Sequence, residues 1–81
     1  MKRTLATVPQ GCHVRISSMS RGGALRQRLL DMGVTRGTEL MVERVAPLGD
    51  PIEVLIKGYH LAIRRTEAAS IEVVDLEDSG G

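Results

Sequence analysis

Apolar and polar residues alternate along most of this chain, the period of a strand with one buried face. In Gly11-Cys12-His13-Val14-Arg15-Ile16, Val14 and Ile16 share a face. The pattern returns in Gly37-Thr38-Glu39-Leu40-Met41-Val42, with Leu40 and Val42 at the same spacing from a turn glycine. Residues 40–46 and 52–57 then read as a hairpin with a wide tip, Pro47-Leu48-Gly49-Asp50-Pro51. Strand pairing ends there because proline offers no ladder amide. A tighter hairpin is expected at Gly58-Tyr59, with glycine first in a type II′ turn. That loop pairs Lys57 with His60, Ile56 with Leu61, Leu55 with Ala62, Val54 with Ile63 and Glu53 with Arg64. Ile71 and Val73 mark a last strand.

One segment has helical period instead. Leu25, Leu29 and Met32 fall at i, i+4 and i+7, a single stripe for a core, with Arg21, Arg26 and Arg28 off it. Ser20 suits the N-cap, and Gly33 suits the left-handed residue just past the end. The spacing predicts a helix over about residues 22–32. Thr66-Glu67-Ala68-Ala69 has room for one further turn. Five or six short antiparallel strands with one inserted helix make a mainly β chain. Closure into a small barrel would remove its exposed edges.

Length and composition narrow the function. Eighty-one residues support one domain with a thin core, expected over about 5–75, with a frayed acidic and glycine tail at 76–81. There is no Trp or Phe and one Tyr, so the core must be aliphatic. Aromatic platforms for single-stranded nucleic acid and aromatic grooves for proline-rich peptides are thereby excluded. Apolar runs reach only three residues, and a single Cys12 closes no internal disulfide. A cytoplasmic location is the expectation, without a signal peptide. Residues 1–36 hold seven Lys or Arg against one acid, and residues 37–81 hold four against nine. The chain is therefore electrostatically two-sided unless its halves interleave.

Catalytic chemistry finds little support. The serines at 17, 18 and 20 suit caps and turns, Gly22-Gly23 lacks a phosphate-loop context, and a thin barrel offers little cavity for a triad's pocket. Candidate metal ligands are Cys12, His13 and His60. Cys12 and His13 are strand neighbours and point to opposite faces, so no metal site is expected within one chain. A site would gain support across a dimer interface, or with carboxylates such as Glu39 and Glu43. No cofactor is implied, and the chain is expected not to be an enzyme.

Four blocks in series carry a family resemblance. They are Leu25-Arg26-Gln27-Arg28-Leu29-Leu30-Asp31-Met32-Gly33-Val34, Arg36-Gly37-Thr38-Glu39, Ala46-Pro47-Leu48-Gly49-Asp50-Pro51-Ile52, and residues 58–68. Together they resemble FeoA, the ferrous iron transport protein A family, across about residues 5–75. One departure is Thr35 and Arg36, where the family commonly has proline before the glycine. The resemblance implies an SH3-like β-barrel and a cytosolic accessory role in bacterial ferrous iron uptake. The implied partner is the permease FeoB, whose cytosolic part includes a GTP-binding domain. Membrane contact would then be indirect, through the permease, with no nucleic acid and with a weak homodimer as the other assembly to consider. The same fold closes repressors of the diphtheria toxin repressor type, so a metal-responsive SH3-like module is the alternative. For an interaction module, the tip residues Pro47, Leu48, Gly49, Asp50 and Pro51 are the first contact candidates. Arg26 and Arg28 are the second.

Overall fold

A computed structural model describes residues 2–19 and 23–76 of the chain. Six strands form one antiparallel sheet: β1 (Lys2–Thr4), β2 (His13–Met19), β3 (Glu39–Val45), β4 (Ile52–Ile56), β5 (Tyr59–Ile63) and β6 (Ile71–Asp75). Their order across the sheet is β1-β6-β2-β3-β4-β5. The helix α1 (Ala24–Asp31) joins β2 to β3, and the single turn α2 (Arg65–Ala68) joins β5 to β6. β1 was not expected from the sequence: three residues are too few to show a period.

The core is the inward stripe of each strand plus the helix stripe. Val14, Ile16, Leu40, Val42, Ile52, Val54, Ile56, Ile63, Ile71 and Val73 are buried with Leu25 and Leu29 of α1, and Met32 packs against them. Among the described residues none of the buried side chains is polar or charged. Each full burial of such a side chain is worth about 1.5–3 kcal/mol. No ladder joins β1 to β5 among the described residues. Instead α2, which follows β5, packs on the 3-10 turn Leu5–Thr7 that follows β1. Helical segments thus close the gap that a barrel would close with hydrogen bonds.

The α1 boundaries are shorter than the predicted 22–32. Gly23 occupies the N-cap position, and Ser20, the expected cap, lies outside the described residues. Gly22 and residues 77–81 also lie outside them. The C-terminal expectation holds in full. Gly33 has φ +84°, its N–H donates to Leu30 C=O at 3.0 Å, and Val34 N–H donates to Leu29 C=O at 2.8 Å. These are the two hydrogen bonds of a Schellman ending, and the buried pair Leu29 and Val34 seals it.

The β4–β5 hairpin corrects the predicted register. Ile56 pairs with Tyr59, Leu55 with His60, Val54 with Leu61, Glu53 with Ala62 and Ile52 with Ile63. The turn residues are Lys57 (φ +54°) and Gly58 (φ +81°), both left-handed, as a type I′ turn requires. The expected type II′ turn put the glycine first; here it is second. Pairing is thereby displaced by two residues. An even displacement keeps every side chain on its face, so the apolar face survives while each partner changes. The predicted Glu53–Arg64 pair is lost, because Glu53 now faces Ala62.

Two bulges interrupt the alternation. Ser17 is extra between Ile16 and Ser18 of β2, and Glu43 is extra between Val42 and Arg44 of β3. Past each bulge the inward positions change from even to odd, so Met19 and Val45 pack against the core.

Two substitutions test these turns. Gly33→Ala should destabilise by about 1 kcal/mol through the left-handed penalty alone, since its Cβ would meet only Lys57 Cε at 3.7 Å. Thermal melting should show a fall of roughly 4–8 °C. Lys57→Asn should raise the melting temperature, because asparagine tolerates the first position of a type I′ turn better than lysine.

Candidate interaction surface

The tip between β3 and β4 is held from three sides. Gly49 N–H donates to Ala46 C=O at 2.7 Å, and Ala46 N–H donates to Pro51 C=O at 3.1 Å, closing the loop on itself. At its stem, Val45 N–H donates to Gln10 Oε1 at 3.1 Å. On the far side, Asp50 Oδ1 accepts the Arg65 backbone N–H at 3.0 Å. Arg65 is the first residue of α2, whose first-turn amides have no partner within the helix. Asp50 therefore caps a helix from another part of the chain. Glu67 takes a second such amide, accepting Arg64 N–H at 3.1 Å.

This arrangement corrects the expected pairing that carried the strand through Arg64. The strand stops at Ile63, and the two arginines start α2 beside the tip. Arg64 Nη1 lies 3.9 Å from Asp50 Oδ2, and the Arg65 guanidinium lies beside Gly49. At the summit Leu48 is 91% exposed; it projects into solvent instead of folding back over the barrel end. Among the described residues the other strongly exposed large apolar side chain is Tyr59 at 56%.

Arg26 and Arg28 sit apart from the tip, on α1. Arg26 is half-buried and lines a groove with Ser18, Met19, Leu30, Thr35 and Arg36, whereas Arg28 is exposed. The strand order interleaves the two halves of the chain, and two ion pairs join them. Arg3 pairs with Asp75, and Arg15 with Glu39 at 3.2 Å, each joining a first-half cation to a second-half acid.

The candidate metal ligands are dispersed. Cys12 is half-buried against the core, while His13 is exposed on the outer face of β2. His13, Met41, Leu55 and His60 are successive cross-strand partners over β2, β3, β4 and β5. Three strand spacings put His13 and His60 roughly 14 Å apart, too far to share an ion. Among the described residues no group of three or more His, Cys, Asp or Glu side chains is placed to hold a metal. The bulge does bring Glu43 to His60, with Oε2 2.8 Å from Nδ1. The sequence reading set His60 opposite Lys57 and did not connect it with Glu43. A break in the alternation at Glu43-Arg44 is the signal that could have located the bulge.

Glu43 raises the His60 pKa above 6.5, first through this hydrogen bond and then through its charge, with a smaller contribution from Glu53. A raised folded-state pKa contributes stability that is full below the unfolded value and is lost as pH rises through the folded value. An NMR titration should therefore place the His60 midpoint above 6.5, and Glu43→Gln should lower it. An unchanged midpoint in that variant would show that the pair does not persist in solution.

Comparison with known proteins places this geometry. The FeoA domain family model matches residues 3–75. A Porphyromonas gingivalis protein, described as an Fe(2+) transport protein A/Fe(2+) transporter FeoB fusion protein, is 39% identical over 69 residues. That match covers 85% of this chain but only 8% of the relative's length. The solution structure of FeoA from Chlorobium tepidum superposes with a TM-score of 0.83 at 43% identity, covering 91% of this chain and 70% of that one. FeoA from Stenotrophomonas maltophilia, solved with zinc and described as a procaryotic SH3 domain protein, gives 0.75 at 25% identity, covering 89% of each chain. A manganese-dependent transcriptional repressor shares the fold alone, with a TM-score of 0.80 at 20% identity, over 93% of this chain and 42% of that one. The mainly β, SH3-like architecture and the match along nearly the whole sequence lead to one conclusion: the chain belongs to the FeoA family.

Proposed function

We propose that this protein is a cytoplasmic accessory factor of ferrous iron uptake that binds the cytosolic portion of a FeoB-type permease, including its GTP-binding domain. The observation that carries this reading is the Porphyromonas gingivalis relative, in which a region similar to this chain and a FeoB transporter form one polypeptide. A short tether raises the effective concentration of one partner for the other, which favours modules that associate. Among the described residues no group of three or more His, Cys, Asp or Glu side chains is placed to hold a metal, and in this reading the surface acts by contact. The 47–51 tip is the first contact and the α1 arginines, Arg26 and Arg28, are the second. No helix of the described residues is long and apolar enough to cross a membrane, so the permease provides the membrane link.

A second reading, a metal-responsive module, has one observation in its favour. His60 and Glu43 form a two-ligand pair that a second copy of the chain could complete. Calorimetric titration with ferrous iron or zinc, before and after chelation, separates the two readings. The accessory reading expects no stoichiometric uptake by the monomer.

The direct test is capture of the purified cytosolic portion of a FeoB-type permease by this chain. Retention at moderate salt is expected, and its absence would end the accessory reading. Arg26→Glu with Arg28→Glu should slow association, an effect that fades at high salt because rim charges act mainly on encounter.

A further inference from the structure

We propose that the tip is a prebuilt knob, and that the surface it enters offers one apolar socket for Leu48 with carboxylates on the rim; this rests on the permease reading above. Three observations converge on that partner. The first is Leu48 itself, 91% exposed in a protein whose other leucines, among the described residues, are buried or half-buried. The second is the bracing. The loop is closed by its own amides, its stem is held by Gln10, and Asp50 fastens it to α2. A loop already ordered when free loses little conformational freedom on docking, and Pro47 and Pro51 limit that loss further.

The third observation is the charge around the knob. Arg44, Arg64 and Arg65 are exposed around it, and neither Arg44 nor the Arg65 guanidinium has a carboxylate partner among the described residues. Asp50 and Glu53 alternate with these cations: Asp50 lies near Arg64, and Glu53 lies opposite Arg44 in the ladder. Interleaved signs match separately placed rim groups on a protein. A uniformly anionic lipid surface would be opposed by the two acids. One leucine also falls far short of what stable membrane attachment needs, since even a whole myristoyl chain holds only marginally.

The experiment measures binding of the purified cytosolic portion of a FeoB-type permease to the full chain and to three variants. Circular dichroism and melting temperature come first, to confirm that each variant is folded. Leu48→Asp should weaken affinity at least tenfold, through loss of leucine burial and desolvation of a carboxylate. Leu48→Met should bind within about threefold of wild type, because a socket for an aliphatic side chain accepts methionine. Asp50→Ala should slow association and speed hydrogen exchange at the Arg65 amide, a readout independent of the permease. If Leu48→Asp binds like wild type, the knob is overturned while the accessory reading stands. If wild type is not retained at all, both fall. Sedimentation with phosphatidylserine vesicles that depends on Leu48 would overturn the protein socket in favour of a membrane contact.

Discussion

Two glycine amides fix the centre of this molecule. Gly11 N–H donates to Val42 C=O at 2.7 Å, and Gly37 N–H donates to Ile16 C=O at 2.8 Å. The return bonds run from Val42 N–H to Cys12 C=O at 3.0 Å and from Ile16 N–H to Thr38 C=O at 2.9 Å. The two ends of the β2–β3 ladder are thus closed by the same device, used reciprocally. These strands are the middle pair of the sheet, so β6 and β1 hang from one and β4 and β5 from the other. Even the irregularities correspond. Ser17 and Glu43 each lie six residues beyond their glycine, and Met19 and Val45 resume the core contact at equal spacing. A local pseudo-two-fold relates the pair.

What the sequence made legible was the set of inward faces, because burial acts on every second residue and leaves a periodic trace. The helix stripe and its glycine ending were legible for the same local reason. Register was not. Turn geometry decides it, and Lys57 gives no chemical sign of a left-handed backbone. The bulges were missed because each one joins two regular alternations that look continuous when read separately. Net charge by halves left two outcomes open, and antiparallel pairing decides between them by bringing Asp75 back to Arg3 and setting Glu39 against Arg15.

The candidate surface shows the same division between local and distant causes. Its residues could be named from the sequence, since prolines and glycine mark a turn and Leu48 stands alone among them. Leu48 points outward on a loop that Asp50 fastens to an amide fifteen residues away, a contact no local pattern encodes. That one carboxylate joins the tip to α2, and α2 rests on the segment after β1. The presentation of the tip and the closure of the sheet therefore share a single helical turn.

The aliphatic core also determines how the protein can be watched. Tyr59 is the lone aromatic residue, and it already faces solvent. With no tryptophan and no buried ring, unfolding changes little in near-ultraviolet absorption, ellipticity or intrinsic fluorescence. The chain is optically dark. In a mixture excited for tryptophan emission, every photon comes from the other molecule, so a binding partner that carries tryptophan reports on the complex against an empty background and needs no label.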